Sequence, residues 1–180
     1  MSLSLAHCSC VGLLAFAFQS PVLADSLTVT QSINVTLSPN GKLTVPSSIT
    51  LLNGALAFSA FTAALPVLFR ARTSESGVGS ITVQATSDFS PAGGPSVNTG
   101  ILTYTCAAAL YGTACSGTQT IDTTSQRPVV NLPSNACTGG GRGCSPSDPA
   151  SIDLQFRLEN DVSIPTGTYS VQLTFTVSCT

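Results

Sequence analysis

The sequence has little charge and little of the side-chain chemistry that enzymes use. Only 8% of its 180 residues are charged, there is no tryptophan, and the single histidine is His7. Histidine is the usual proton carrier near neutral pH and a common metal ligand. With none after His7, catalytic triads and histidine metal sites are excluded. Six Lys and Arg against eight Asp and Glu give a net charge of −2. With no basic block, a nucleic-acid-binding surface and a polybasic membrane patch are not expected.

The remaining catalytic candidates are carboxylates, and their spacing is unfavourable. Asp153 and Glu159 lie six residues apart on a predicted strand, which puts them ~20 Å apart on one face, too far for a glycosidase pair. A calcium site built from Asp148, Asp161 and loop carbonyls lacks the spacing of a calcium-binding loop. We therefore expect exposed surface carboxylates, no metal, no cofactor and no catalytic residue. A hydrolase that uses carboxylates alone is the least favoured alternative.

Residues 1–24 have the pattern of a secretory signal peptide. An apolar run from Val11 to Phe18 is followed by Val22-Leu23-Ala24, which predicts cleavage before Asp25. The run is too short to span a bilayer. The leader contains no Lys or Arg, a departure that a misplaced start codon would explain. The alternative is an apolar N-terminal helix that stays in the mature protein.

Five cysteines follow the predicted cleavage site, as expected for an oxidising compartment. The close pairs Cys106 with Cys115 and Cys137 with Cys144 each fit a local disulfide, although other pairings remain open. The fifth, Cys179, is left over. It is a free thiol, an intermolecular partner, or a competitor within those pairs.

Beyond Asp25 the chain alternates apolar and polar residues, which indicates β-strands. Ser and Thr make up 48 of the 180 residues, so hydroxyl groups are expected to cover the solvent-facing side of each strand. Turn residues separate the apolar runs. The segment 54–64 stays undecided between a helical turn and a buried strand. Strands are predicted at 27–37, 42–45, 49–52, 65–72, 80–86, 100–106, 119–122, 128–132, 151–158 and 168–178.

Many short strands without a convincing helix predict an all-β, antiparallel sandwich. We expect the mature chain to consist of an N-terminal strand, residues 25–38, followed by a sandwich domain, residues 39–180. The clearest strand is the last one, whose alternate apolar residues are predicted to face the core: Tyr169, Val171, Leu173, Phe175 and Val177. Arg70 and Arg72 lie two apart on one strand face, where they contact an anion, a partner's carboxylate or only solvent.

The layout resembles the subunits of chaperone-usher pili, including the spore coat protein U type. The resemblance rests on the leader, the alternating N-terminal segment, the charge-poor sandwich and the closing Gly167-Thr168-Tyr169 strand. It implies an immunoglobulin-like sandwich that lacks its last strand, completed by the N-terminal segment of another subunit. The implied donor residues are Leu27, Val29, Ile33, Val35 and Leu37, and Tyr169 to Val177 would border the groove.

The resemblance also implies the partners and the location. The partners would be like subunits, together with a periplasmic chaperone and an outer-membrane usher, and the protein would pass through the periplasm to the cell surface. The predicted strand at 27–37 is rich in Thr and Val and contains no Lys or Pro. At the edge of a sheet, such a strand favours pairing with another chain. The first hypothesis is therefore a non-enzymatic filament subunit. The alternative is a monomeric secreted adhesion or binding domain whose N-terminal strand pairs within its own sheet.

Overall fold

The computed structural model describes residues 31–54, 58–137 and 149–180, and its sandwich lies within residues 36–180. Alternating side chains on these segments build short strands, each with one apolar and one hydroxyl-rich face. The strands are β1 (Asn40–Thr44), β2 (Leu52–Asn53), β3 (Phe61–Arg72), β4 (Gly79–Ala85), β5 (Leu102–Cys106), β6 (Thr113–Ala114), β7 (Thr118–Thr120), β8 (Arg127–Leu132), β9 (Ala150–Leu158) and β10 (Leu173–Cys179).

The strands form two antiparallel sheets. The first has the order β1-β3-β9-β5-β7, with β2 also paired to β3, and the second has the order β10-β4-β8-β6. Pro66 lies on β3 between the part that pairs with β2 and the part that pairs with β1. At this point β3 has a neighbour on one side only, which is where a strand tolerates a residue without an N–H group.

The core lies between the sheets and is closed around β3, β4, β5 and β9. Val67, Ile81 and Val83 are fully buried. Tyr104 is also fully buried, packs its ring 5.6 Å from that of Phe156, and donates its hydroxyl to the Pro128 carbonyl at 2.7 Å. Because Tyr104 belongs to the first sheet and Pro128 to the second, this buried hydrogen bond ties the sheets together. Burial raises the pKa of the Tyr104 hydroxyl.

The predicted all-β sandwich is confirmed, with differences at the strand ends. The undecided segment becomes a strand from Phe61 onward, while residues 55–57 lie outside the described part. β6 was not predicted, because a strand of two residues is too short to show an alternation of apolar and polar side chains. In the described part of the chain the only helix is a single 3-10 turn at Val97–Thr99, and no helix there is long and apolar enough to cross a membrane.

Candidate functional site

The main candidate site is the outer edge of β10, which has no neighbouring strand among the described residues. β10 is the end strand of its sheet and pairs with β4 alone among the residues that the structure describes. Thr86 donates to the Gln172 carbonyl at 2.8 Å and Thr180 donates to the Val78 carbonyl at 3.0 Å. Hydrogen-bonded positions alternate in an antiparallel pair. The even-numbered residues of β10 therefore bond to β4.

The odd-numbered residues of β10 direct their backbone N–H and C=O groups to the open side. Their side chains point toward the other sheet, where each is only half-buried: Leu173, Phe175, Val177 and Cys179. β1 of the other sheet contacts β10. On β1 and just after it, four more apolar side chains are half-buried against the core: Leu43, Val45, Ile49 and Leu51. The core-facing side chains of β4 are thus fully buried, whereas those of β10 are only half-buried. The result is an apolar groove beside a row of backbone groups that have no partner strand among the described residues, and we call it the β10 groove.

Part of the predicted groove strand is not in β10. Tyr169 and Val171 precede the strand, which begins at Leu173. Ser170 instead forms an isolated bridge with Ser90, and the Tyr169 hydroxyl donates to the Pro165 carbonyl at 2.8 Å. Val171, Leu173, Phe175 and Val177 pack against the core, as predicted, but all five side chains of the row are only half-buried. No strand in the described ranges lies beside this row on the side away from β4.

The predicted donor segment forms no strand in its described part. Residues 31–39 belong to neither sheet, and the first strand begins at Asn40, so the expectation of a strand over 27–37 is not met there. An extended segment needs a neighbouring edge to hold it. Ile33, Val35 and Leu37 are 84, 73 and 71% exposed. Leu27 and Val29 lie outside the described residues.

The cysteines fall into three groups. Cys106 and Cys115 form a disulfide, with Cα atoms 5.5 Å apart, as predicted. Cys137 is also disulfide-bonded, but Cys144 lies outside the described residues, so that pairing stays a prediction. Cys179 is a free thiol at the end of the β10 groove. Burial raises the pKa of this thiol, although a hydrogen bond from the Arg72 backbone opposes the shift.

The two carboxylates considered as a catalytic pair lie on and just beyond β9. Asp153 lies on the outer face of β9, and Glu159, just beyond that strand, is ion-paired with Arg157. The Asp161 carboxylate accepts from the backbone of Ser163 at 2.8 Å, a bond that lowers its pKa. Asp148 lies outside the described residues. Within the described ranges no group of three His, Cys, Asp or Glu residues is close enough together to hold a metal ion.

Two other carboxylates hold loops in place. Asp122 contacts Arg127 at 2.6 Å, and this guanidinium, with Thr124, holds the pKa of Asp122 well below its usual range. Asp88 accepts from the Ser96 hydroxyl at 2.6 Å and from the backbone of Val97 at 2.8 Å. These bonds lower the pKa of Asp88.

The arrangement can bind a chain by main-chain pairing at the β10 edge, with half-buried apolar side chains on one face. Arg70 and Arg72 share an exposed face of β3, as predicted. No family model, curated protein or solved structure matches the chain.

Proposed function

We propose that the protein is a non-enzymatic structural subunit of a surface filament, in which an extended segment of one copy fills the β10 groove of the next. The observation that carries the proposal is the unpaired edge of β10 beside half-buried Leu173, Phe175 and Val177. A strand added there would satisfy the free backbone groups and cover the apolar row, which is the physical basis of binding by strand addition.

The strand order supports an immunoglobulin-like frame with one strand absent. In such sandwiches four strands in the order A-B-E-D face strands C, F and G. Here β1, β3, β9 and β5 correspond to the first set, while β4 and β10 correspond to C and F. The position of strand G, beside β10, is not filled by any strand in the described ranges. The resemblance to chaperone-usher pilus subunits leads to the same frame.

The occupant we propose is the segment 25–38 of a second copy. In this segment Ile33, Val35 and Leu37 alternate with polar residues and are largely exposed. Such exposed apolar side chains would lose contact with water in the groove, a gain of roughly 1.5–3 kcal/mol for each one fully buried. Residues 31–39 pair with neither sheet of their own chain. The alternative is a monomeric domain in which this strand completes its own sheet, and the experiments below distinguish the two.

Binding of the isolated segment tests the proposal directly. A full-length chain carrying Ile33→Asp and Val35→Asp would be refolded from denaturant with a synthetic peptide of residues 25–38. The peptide is expected to raise the unfolding free energy by about 2.7 kcal/mol at a hundredfold excess over Kd. A peptide with Asn34→Asp, a change at a polar position, should act like the original. A peptide with Ile33→Asp and Val35→Asp should not bind.

Mixing two variants tests assembly. The donor-defective chain described above should stay monomeric, and so should an acceptor-defective chain with Phe175→Ala and Val177→Ala. Mixed, the two should form discrete pairs in velocity sedimentation, because only one interface can be made. Circular dichroism and thermal unfolding verify that each variant folds, and Thr176→Ala on the opposite face of β10 is the matched control. Fibres formed by the donor-defective chain, or a peptide without effect, would reject the proposal.

A further inference from the structure

The outer edge of β10 presents four core-facing positions to an added strand, and they are not equivalent. Leu173, Phe175 and Val177 are apolar and half-buried, whereas the fourth position is the free thiol of Cys179. Gly41 of β1 faces Val177 and Cys179 so closely that a side chain at Gly41 would collide with Val177. The β10 groove is therefore narrow at its Cys179 end.

The described part of the donor segment, residues 31–38, has the same order of side chains. Ile33, Val35 and Leu37 are three apolar residues at alternate positions, and the alternate position before them is Gln31. All four are exposed. Three apolar positions beside one polar position thus occur on the donor, just as three apolar positions beside one thiol occur on β10.

The backbone adds a second condition. The even-numbered residues of β10 bond to β4, so its odd-numbered residues direct their N–H and C=O groups outward. Opposite residues in such an antiparallel pair exchange both hydrogen bonds and point their side chains to the same face. Odd-numbered donor residues must therefore lie opposite odd-numbered β10 residues. Every strand pair in the described sheets is antiparallel, which favours that direction for an added strand.

We propose that the donor segment of a second copy lies antiparallel to β10 in a single register, which places Gln31 opposite Cys179. This inference rests on the proposed function, because it concerns the same groove and the same occupant. The long side chain of Gln31 carries its amide past the narrow end of the groove to water, where the amide keeps its hydrogen bonds. The other three positions pair apolar residues only: Leu37 with Leu173, Val35 with Phe175 and Ile33 with Val177.

The neighbouring registers are less favourable. Because the apolar side chains must face the core, the register changes only in steps of two residues. One step in one direction puts Gln31 opposite Val177, where its amide is buried among apolar side chains without a partner. One step in the other direction puts Pro39 opposite Leu173, whose carbonyl then receives no hydrogen bond, because proline has no N–H group. Gln31 is thus the residue that selects the register.

Cys179 makes the register measurable, because a disulfide needs closely placed partners. Opposite residues in a hydrogen-bonded antiparallel pair have Cα atoms ~5.5 Å apart, within the range of a disulfide, whereas diagonal neighbours are ~7–8 Å apart. Peptides of residues 25–38 would carry one cysteine, activated as a mixed disulfide with thionitrobenzoate. The Cys179 thiolate of the refolded donor-defective chain attacks the peptide sulfur, the new disulfide forms, and the coloured thiolate leaves. Its release measures the rate, and mass spectrometry identifies the linked residue.

The Gln31→Cys peptide is expected to link to Cys179 about tenfold faster than the peptides with Val29→Cys or Leu37→Cys. The matched control is Ser32→Cys, whose thiol lies on the opposite face of the same strand and should link slowly. A Cys179→Ala acceptor should give no such link. Fastest linkage from position 29 would show a register one step away, and fastest linkage from position 37 would show a parallel strand. Either result overturns the inference.

The selecting role of Gln31 has its own readout. Adding Gln31→Leu to the Val29→Cys peptide removes the amide that disfavours the shifted register, so linkage from position 29 should rise about fivefold. An unchanged rate would show that another residue sets the register.

Failure of this inference and failure of the proposed function give different results. If the unmodified peptide 25–38 stabilises the donor-defective chain but the cysteine peptides link best from position 29 or 37, the register is wrong and the proposed function stands. Equal linkage from every position would show a bound segment without a fixed register, with the same consequence. If the unmodified peptide does not stabilise the chain, the proposed function fails and the register fails with it.

Discussion

Gly41 on β1 lies directly against Val177 on β10, so that a methyl group at Gly41 would be 2.6 Å from Val177 Cγ2. The Cys179 sulfur would be 3.1 Å from the same methyl group. The two sheets therefore lie close together at the end of the β10 groove near β1. Glycine is required there for space, since a side chain would push β10 away.

Gly41→Ala is expected to destabilise the sandwich by about 1–3 kcal/mol through overpacking. Val177→Ala removes the side chain that the new methyl group meets, so the double variant should be less destabilised than the sum of the two single changes. Urea unfolding of the four chains measures this coupling. Strict additivity would show that the two residues do not determine the spacing of the sheets.

The contact between Gly41 and Val177 could not be predicted from the sequence, whereas most of the strands that carry it could. The alternation of apolar and polar residues locates β3, β9 and β10, because one face of each strand packs against the core and the other faces solvent. Pairing is non-local: β1 neighbours β3, and β9 lies between β3 and β5, and no local pattern records this order. The strand predicted from residue 168 begins at Leu173, since Ser170 pairs with Ser90 instead. Alternation identifies an apolar face but does not say whether another strand covers it.

The disulfide between Cys106 and Cys115 should contribute substantially to stability. It joins the end of β5 in the first sheet to the residue after β6 in the second. For a sequence separation of nine, chain-entropy loss in the unfolded state gives about 2.5–3 kcal/mol. A chain with Cys106→Ala and Cys115→Ala should lose about this free energy in urea unfolding. Cys179→Ala is the control and should cost less than about 1 kcal/mol, so equal losses would contradict the structural role of the disulfide.

Thr73 is expected to be sensitive to loss of its hydroxyl. It is the one described polar residue that is buried, and its Oγ1 donates to the Pro133 carbonyl at 2.9 Å and accepts from the Ala136 N–H at 2.7 Å. Thr73→Val leaves both backbone groups without this partner, which costs about 1–3 kcal/mol. Thr73→Ser keeps the hydroxyl and should lose less. Equal unfolding free energies for Val and Thr at this position would refute the bridging role.

Asp88 should make the unfolding free energy depend on pH in the acidic range. The Ser96 hydroxyl bond, with the backbone bonds from Val97 and Phe89, lowers the pKa of Asp88 in the folded chain. In the unfolded chain this carboxyl has a pKa near ~3.9, so its contribution to folding stability is complete above that pH. The contribution is lost as the pH falls toward the lower pKa of the folded chain. Asp88→Asn should cost about 1–2 kcal/mol at neutral pH. The difference between the two chains should shrink below about pH 4, and a difference independent of pH would count against this assignment.

Cys179 offers a direct reading of whether the β10 groove is filled. Because burial raises the pKa of this thiol, less of it is thiolate at a given pH, and thiolate is the form that reacts. Iodoacetamide at about pH 8 should therefore alkylate Cys179 more slowly in the folded chain than in urea, as followed by mass spectrometry of its peptide. Adding the peptide 25–38 should slow the reaction further, because a strand beside β10 covers the remaining exposed part of Cys179. The peptide with Ile33→Asp and Val35→Asp should leave the rate unchanged, and protection by that control peptide would show that the slowing has a cause other than strand addition.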